Sequence, residues 1–362
     1  MTDESYIKLS IEIAKKGLGK TSPNPLVGCV IIKDERIIGA GYHEKFGGNH
    51  AEINAINSAQ ENLDAATLYI NLEPCSHYGK TPPCVDKIIE KKFKRVVIGT
   101  LDMNPLVSGA GVKKLKASGI EVKVGLCVKE CVELNKFFFK YITKKIPYVT
   151  LKAAQTVDGK IADVSGNSKW ISSVSSRRYV HSLRAKYDAV LVGKGTVQAD
   201  DPSLTVRLTE GRNPQRIVLD SKLELNYNHK IFAGNNDKNL IVITSKKNIE
   251  KQRRIKKLNS LGVKILFVKE NSDEKINLKS ALLELAKNQI TSVLVEGGSE
   301  VYTSFVRENL FDNIILFISP KILGPGLPIV QDFGAGKLKN VVKVKMTNVE
   351  IIDEDLCVEM LR

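Results

Sequence analysis

The chain has 362 residues, a length that suits two or three domains at the usual ~100–200 residues each. Hydrophobic residues make up 43% and charged residues 26%, which excludes a disordered chain, and no apolar run approaches the ~18 residues of a membrane span. The 55 basic and 40 acidic residues leave a formal charge of +15, but the lysines are spread along the whole chain, with no basic tail and no basic stripe interleaved with aromatics; the surplus suits small phosphorylated substrates better than nucleic acid.

The N-terminus, MTDESYIKLS, lacks the basic region and apolar core of a secretory signal, so a cytoplasmic protein is expected. Residues 4–16 read as an amphipathic helix, with Ile7, Ile11 and Ala14 at helical spacing and Gly17 and Gly19 able to end it. After the loop Thr21-Ser22-Pro23-Asn24-Pro25, two β runs at 26–32 and 36–41 form a hairpin. A helix over about 51–59, a strand at 67–72, a proline-rich loop, a helix over about 84–92 and a strand at 95–100 complete an α/β layered sheet. A lysine- and phenylalanine-rich helix over 132–145 precedes Pro147, and the pattern then restarts. The expected boundary divides the chain into domains 1–145 and 146–362. In the second domain, strand-like runs fall at 147–154, 188–193, 216–220, 240–244, 264–268, 292–296 and 313–319. Helices fit at 173–187, 278–288 and 299–308, and 342–361 reads as two β runs.

Six cysteines without a signal peptide favour metal or catalytic use over disulfides. Cys29 and Cys357 lie in apolar runs and read as buried small hydrophobes. Cys127 and Cys131 have no other ligand type nearby in sequence. His50-Ala51-Glu52 and the segment Pro74-Cys75-Ser76-His77-Tyr78-Gly79-Lys80-Thr81-Pro82-Pro83-Cys84 are different. His50, Cys75 and Cys84 supply three zinc ligands, the number that leaves a catalytic zinc one position for water. His50 and Cys84 each start a helix, which favours thiolate at Cys84. Glu52, two residues after His50, lies near the metal without binding it and can carry a proton from water to a departing amine. A structural zinc would want a fourth protein ligand, for which His43 or His77 is at hand.

The arrangement resembles the H-x-E…P-C-x-x-C signature of zinc nucleobase deaminases, with eight residues instead of two between the cysteines. That longer loop is similar to the deaminase half of the bifunctional riboflavin-biosynthesis deaminase–reductase family, whose loop reads PCSHxGxTPPC. The resemblance implies a cytidine-deaminase-like α/β/α domain, with Asn24, His43, His77, Lys80, Thr81 and Asn104 at substrate-binding positions.

The second half has no G-x-G-x-x-G after a strand. Its segments Lys152–Ala162, Val192–Val197 continuing into Asp200–Arg207, and Val295-Glu296-Gly297-Gly298-Ser299 are similar to the reductase half of the same family. The resemblance implies a dihydrofolate-reductase-like α/β domain that uses NADPH. By the same resemblance Ala154, Trp170, Thr196, Asp200, Ser221 and Gly298 map to cofactor positions, and Ser168, Arg184, Leu204, Arg207 and Glu296 to substrate positions. The chemistry agrees: a Gly-Gly turn lets backbone approach a ligand at a helix N-terminus, and arginines such as Arg184 and Arg207 can grip phosphate through forked hydrogen bonds. The bland readings are that Trp170 is core, Arg184 an exposed helix charge and Gly297-Gly298 only a turn.

The expected protein deaminates 2,5-diamino-6-ribosylamino-4(3H)-pyrimidinone 5′-phosphate with zinc and then reduces the ribosyl group to a ribityl chain with NADPH. A homo-oligomer is compatible with this reading. One rival is a tRNA or nucleotide deaminase with an RNA-binding C-terminal domain; the long cysteine gap and the lack of RNA-binding composition argue against it. The other is a zinc-stabilised scaffold without activity, against which Glu52 beside only three ligands argues.

Overall fold

The computed structural model describes residues 1–78, 82–104 and 108–362. It divides into two compact units, Met1–Lys145 and Ile146–Arg362.

The first unit opens with α1 (Asp3–Ala14), capped by Thr2, whose Oγ1 accepts from the Ser5 N–H at 3.3 Å. There follow β1 (Gly28–Lys33), β2 (Arg36–Tyr42), α2 (Ala51–Ser58), β3 (Thr67–Leu72), α3 (Cys84–Glu90), β4 (Arg95–Thr100), α4 (Ala110–Ala117), β5 (Glu121–Val124), α5 (Val128–Leu134) and α6 (Lys136–Lys144). The sheet runs β2-β1-β3-β4-β5, antiparallel across the first three strands and parallel across the last three. Its central strands are apolar on both faces, because the period-two alternation of a strand sends neighbours to opposite sides. Cys29, Ile31, Leu68, Ile70, Val96 and Ile98 pack under α2, α3 and α4. Val30, Ile32, Tyr69 and Val97 pack under α1 and α5. The result is three layers, α/β/α.

The elements α4 and β5 are additions to the sequence reading, and the helix expected over 132–145 is divided. Asn135 has φ −107° and ψ 18°, outside the helical region, and separates α5 from α6. Its amide explains the break: Oδ1 accepts from the Leu26 N–H at 2.7 Å and Nδ2 donates to the Leu26 carbonyl at 2.9 Å. Those two tertiary bonds hold a buried residue in a conformation that helix propensity alone does not favour.

The second unit comprises β6 (Tyr148–Thr156), β7 (Lys160–Ala162), α7 (Val174–Lys186), β8 (Ala189–Gly193), α8 (Lys194–Asp200), β9 (Gln215–Leu219), the single turn α9 (Lys230–Ala233), β10 (Leu240–Ser245), α10 (Gln252–Ser260), β11 (Lys264–Val268), α11 (Leu278–Lys287), β12 (Ser292–Gly297), α12 (Ser299–Arg307), β13 (Asn313–Ser319), β14 (Leu327–Pro328), β15 (Lys345–Ile352) and β16 (Asp355–Leu361). Nine strands form one sheet in the order β11-β10-β9-β8-β12-β6-β13-β16-β15. The first seven are parallel, and the hairpin β15–β16 adds two antiparallel strands at one edge. Leu282 and Leu285 of α11 and Phe305 of α12 close one face over Leu151, Leu191, Val293 and Val295. On the other face Tyr179 of α7 stacks edge-on against Phe317, with 5.8 Å between ring centroids.

The chain steps from β6 over the β12 position to β8, runs outward to β11, and returns to fill the gap with β12. Strand order therefore reverses around β12. In parallel α/β sheets such a switch point opens a crevice at the carboxyl ends of the strands, where ligands bind.

Candidate active sites

In the first unit, His50 is the N-cap of α2 and Cys84 the first residue of α3. Cys75 sits in the loop after β3. The ligand atoms of His50, Cys75 and Cys84 all lie within 4.8 Å of one another. His50 Nδ1 is 3.5 Å from Cys75 Sγ and 3.2 Å from Cys84 Sγ. A tetrahedron with metal bonds of about 2.0–2.3 Å has edges of about 3.5–3.8 Å, so the trio fits zinc with little movement. The Cys84 N–H also donates to Cys75 Sγ at 3.3 Å.

Glu52 lies beneath this trio, 2% exposed, and its Oε2 has no hydrogen-bond partner among the described residues. Burial pushes its carboxyl up to about 7, with the Cys75 charge adding to the effect. Hydrogen bonds from Cys84, His50 and the Cys84 backbone lower the pKa of the Cys75 thiol. Cys84 is pushed up by that shared hydrogen bond and by burial. A bound dication favours the thiolate at both. A buried carboxyl poised near neutrality beside an imidazole and two thiols is the donor set of a proton-shuttling metal hydrolase.

His50, Cys75 and Glu52 line one end of a cavity of about 380 Å³, and Asn24, His43, His77 and Asn104 line it as well. His43 Nδ1 bonds the Asn49 carbonyl at 2.9 Å, so it carries the proton and leaves Nε2 to accept from Asn24 Nδ2 at 3.1 Å. Burial lowers the His43 pKa, which keeps the ring neutral in this role. The bland and functional readings of His43 are thus not alternatives, since one buried, bonded ring both orients Asn24 and faces the cavity. Lys80 and Thr81 lie outside the described residues. Sequence reasoning missed Asp102, whose carboxyl is pushed up to about 6 by burial, and the wall of Phe138, Tyr141 and Ile142 from α6. The helical spacing of those three was a usable signal for the wall. Cys127 and Cys131 stand apart from the trio, and all six thiols are free.

In the second unit a cavity of about 660 Å³ opens at the carboxyl ends of β6, β8 and β12, at the switch point. Ala154, Trp170, Thr196, Asp200 and Gly298 line it, as do Ser168, Arg184, Leu204, Arg207 and Glu296. Ser221 is not among the lining residues. It follows the end of β9, and its carbonyl accepts from Asn248 Nδ2 at 2.6 Å. Trp170 is 65% exposed, which excludes the core reading, and the Arg177 guanidinium lies 4.3 Å from its ring centroid. Ser168 donates to Asp200 Oδ1 at 3.0 Å.

Gly297 has φ +137°, a backbone that side-chain-bearing residues rarely adopt, and a Cβ at Gly298 would stand 3.0 Å from Thr196 Oγ1. The Gly-Gly pair therefore keeps a cradle open between Thr196 and the start of α12. That cradle and the exposed indole fit a dinucleotide.

Arg184, which the resemblance maps to a substrate position, lines the cavity with its guanidinium already engaged. Its Nε and Nη2 form a fork on Glu296 Oε1 and Oε2 at 2.6 and 2.8 Å, and Nη1 donates to the Thr205 carbonyl at 3.1 Å. The fork expected to grip phosphate is occupied by a carboxylate, and the side chain, 11% exposed, is no surface charge either. Burial pushes the Glu296 carboxyl up, but Arg184 and Lys152 outweigh it and hold it down at about 2. Arg207 keeps its guanidinium at the surface of the cavity, with one bond from Nη1 to Thr205 Oγ1 at 2.7 Å. Lys152 and His181 also line the cavity and were not singled out from sequence.

Taken together, the two sites define a class: a zinc-dependent deaminase joined in one chain to a reductase of dihydrofolate-reductase-like fold. Residues 1–100 match the family model of the cytidine and deoxycytidylate deaminase zinc-binding region, and residues 147–358 match that of the RibD C-terminal domain. The riboflavin biosynthesis protein RibD of Aquifex aeolicus is 48% identical over 98% of this chain and 97% of its own length. That of Escherichia coli is 36% identical over the full length of both. The crystal structure of a diaminohydroxyphosphoribosylaminopyrimidine deaminase/5-amino-6-(5-phosphoribosylamino)uracil reductase from Thermotoga maritima superposes with a TM-score of 0.87 at 44% identity, covering 99% of this chain and 98% of that one. Acinetobacter baumannii RibD gives a TM-score of 0.89 at 36% identity over 99% of this chain and 98% of that one. The chain belongs to the RibD family of riboflavin biosynthesis, whose members are bifunctional deaminases and reductases using zinc and NADPH.

Proposed function

We propose that residues 1–145 deaminate 2,5-diamino-6-ribosylamino-4(3H)-pyrimidinone 5′-phosphate and that residues 146–362 reduce the ribosyl group of the product to a ribityl chain. The observation that carries the first half is the trio His50, Cys75 and Cys84 with the orphaned Glu52 oxygen beneath it. When bound, zinc supplies a Lewis acid that brings the pKa of its water to about 7. Glu52 accepts a proton at Oε2 and returns it to the departing amine, a transfer suited to a carboxyl near neutrality. Asn24, oriented by His43, holds the ring edge, and His77, Lys80, Thr81 and Asn104 are assigned to the rest of the substrate.

In the second half the nicotinamide supplies the hydride. The Gly298–Thr196 cradle and Trp170 hold the cofactor with Ala154 and Asp200, which Ser168 fixes by its hydrogen bond. Ser221, beyond the cavity on the same edge of the sheet, suits the far end of an extended dinucleotide. Arg207 is the phosphate grip. Glu296 bears on substrate as the anion that Arg184 and Lys152 surround, and Leu204 closes the pocket floor.

Purified protein, the diaminopyrimidinone phosphate and NADPH test this reading, with ammonia release and NADPH oxidation followed separately. Ammonia without zinc dependence, or no NADPH oxidation after deamination, overturns it.

No helix among the described residues is long and apolar enough to cross a membrane. We also assign the chain to a homo-oligomer. The edge strand β15 leaves Met346, Val349 and Ile351 at 67%, 53% and 78% exposure, all on the side shared with Met360, Val358 and Leu356 of β16. An apolar edge of this kind is normally covered. Light scattering reads the mass, and a monomer at micromolar concentration refutes the assignment.

A further inference from the structure

We propose that Glu73 is a positioning residue of the deaminase site, a carboxylate clamp that fixes the loop carrying Asp102 and Asn104 against the loop carrying the Cys75 ligand. The inference rests on the deaminase reading above and adds a residue that neither binds the metal nor moves a proton.

Glu73 follows β3 and precedes Pro74-Cys75. It is 4% exposed, yet its carboxylate is fully used. Oε1 accepts from the Gly111 and Val112 N–H groups at 3.0 and 3.2 Å. Oε2 accepts from the Asp102 and Gly109 N–H groups at 3.2 and 2.9 Å. Four backbone donors from two separate stretches, the end of β4 and the start of α4, thus converge on one side chain. Its own N–H donates to the Thr100 carbonyl at 3.0 Å, which ties the same strand ends from below. Hydrogen bonds to an ionised carboxylate are roughly twice as strong as neutral ones, so four on one side chain make a firm tether between buried loops.

The backbone around it is shaped for that contact. A Cβ at Gly111 would stand 2.5 Å from the Pro74 carbonyl and 3.1 Å from Glu73 Oε1, and Gly109 takes φ +80°. What the tether holds is the cavity wall. Asp102 and Asn104 both line the cavity, and the Asn104 N–H donates to Asp102 Oδ1 at 2.8 Å. Cys75, two residues from Glu73, lines the same cavity and belongs to the metal trio. Glu73 therefore sets the distance between the loop of the Cys75 ligand and the wall that carries Asp102 and Asn104.

The chemistry distinguishes this role from acid–base work. Glu73 faces backbone donors on both oxygens, so it has no lone pair aimed at a reacting atom. Loss of the clamp displaces binding groups and leaves Glu52 and the metal ligands intact. The expected signature is a rise in KM for deamination with kcat nearly conserved.

The test uses full-length zinc-loaded protein and compares Glu73→Gln, Glu73→Ala and Gly109→Ala with wild type. Glutamine can accept from at most two of the four donors through its single oxygen. KM for the diaminopyrimidinone phosphate should rise roughly tenfold in Glu73→Gln and further in Glu73→Ala, consistent with losing hydrogen bonds to a charged group. Zinc content and NADPH oxidation on the deaminated intermediate should stay at the wild-type level. Gly109→Ala strains the donor side, leaves the carboxylate untouched, and should shift KM in the same direction. The decisive readout is a double-mutant cycle. In an Asp102→Ala/Asn104→Ala background, Glu73→Gln should no longer raise KM, because the groups it positions are gone. Additive effects in that cycle, an unchanged KM in the folded variants, or a loss of kcat together with zinc overturns the proposal. Failure of wild type to release ammonia would instead overturn the deaminase reading itself.

Discussion

The two sites of this chain are built in opposite ways. The deaminase site takes its candidate metal trio and Glu52, the proposed proton carrier, from two short segments of chain, with His50 and Cys84 each at a helix start. The reductase site draws on residues from Lys152 to Gly298, brought together only where β6, β8 and β12 end side by side. The difference follows from where the chemistry resides. A metal hydrolase needs scarce side chains at fixed distances, so its ligands and its carboxylate must be spelled out in the chain. A nicotinamide brings its own reactivity, and the protein supplies shape, charge and hydrogen bonds from common residues. One site should fail sharply when a single side chain is changed, the other by degrees.

The largest expected effect tests the sharp site. In a Cys75→Ser/Cys84→Ser protein, metal analysis should show zinc falling from one per chain to none, and ammonia release should disappear. NADPH oxidation on supplied intermediate should persist, since neither cysteine lines the second cavity. Full zinc retention would sink the trio. Next in size is Glu52→Gln, which keeps the volume and removes the carboxylate. Loss of a general acid–base typically costs about 10²–10⁴-fold, so deamination should drop by that range with zinc unchanged. Intact ammonia release in that variant would mean that another group moves the proton.

The same contrast governs what could be read from sequence. The strands β3, β4 and β11 begin and end where the apolar runs did, because fully buried strands leave a continuous signal between turn residues. The short elements α4, β5, α8 and α10 were missed, since their apolar content is small and their stability comes from tertiary contacts. The division at Asn135 depends on Leu26, more than a hundred positions away, and no local window holds it. Among site residues, the zinc trio was legible from residue type and spacing. Glu73 was not, because its role lies in four backbone groups whose positions only the fold reveals. The partner of Arg184 was hidden for a related reason: an arginine advertises a fork, but that a carboxylate such as Glu296 meets it is a tertiary fact.

Arg207 is the proposed phosphate grip, and the graded site can be measured there. Removing one charge-assisted bond to phosphate costs about 1.5–3 kcal/mol. Arg207→Ala should therefore lower reductase kcat/KM by about ten- to a hundredfold, mostly through KM, and leave ammonia release untouched. An effect on deamination in a protein that keeps its zinc would break the separation of the two sites. An unchanged kcat/KM would move the phosphate elsewhere.

The last effect expected is a pH dependence of stability confined to the second unit, read as a difference between two slopes. His181, on α7, is 5% exposed, and its Nδ1 accepts from the Arg207 N–H at 2.9 Å. Burial lowers its pKa to about 4, and the charges of Arg184 and Arg207 push the same way. An unfolded chain binds the His181 proton near the ordinary 6.5. Between those two values the unfolded chain takes up a proton that the folded one refuses. The stability that neutral His181 contributes is thus complete above pH 6.5 and is lost as pH falls toward 4. Protonation also removes the acceptor of the Arg207 bond, so the loss has a structural counterpart. The shift bounds the effect at about 3 kcal/mol, or several degrees in Tm at about 2–4 °C per kcal/mol for a unit of this size. His181→Gln keeps an acceptor for Arg207 but cannot titrate. Thermal unfolding of both proteins across this pH range should show the second unit's Tm falling less steeply in the variant. That transition is identified as the one NADPH raises, since a ligand stabilises only the unit that binds it. Asp and Glu residues titrating in the same range are common to both proteins and cancel in the comparison. Equal slopes would mean that the folded protein takes up the His181 proton as readily as the unfolded chain, and the depressed pKa described here would be wrong.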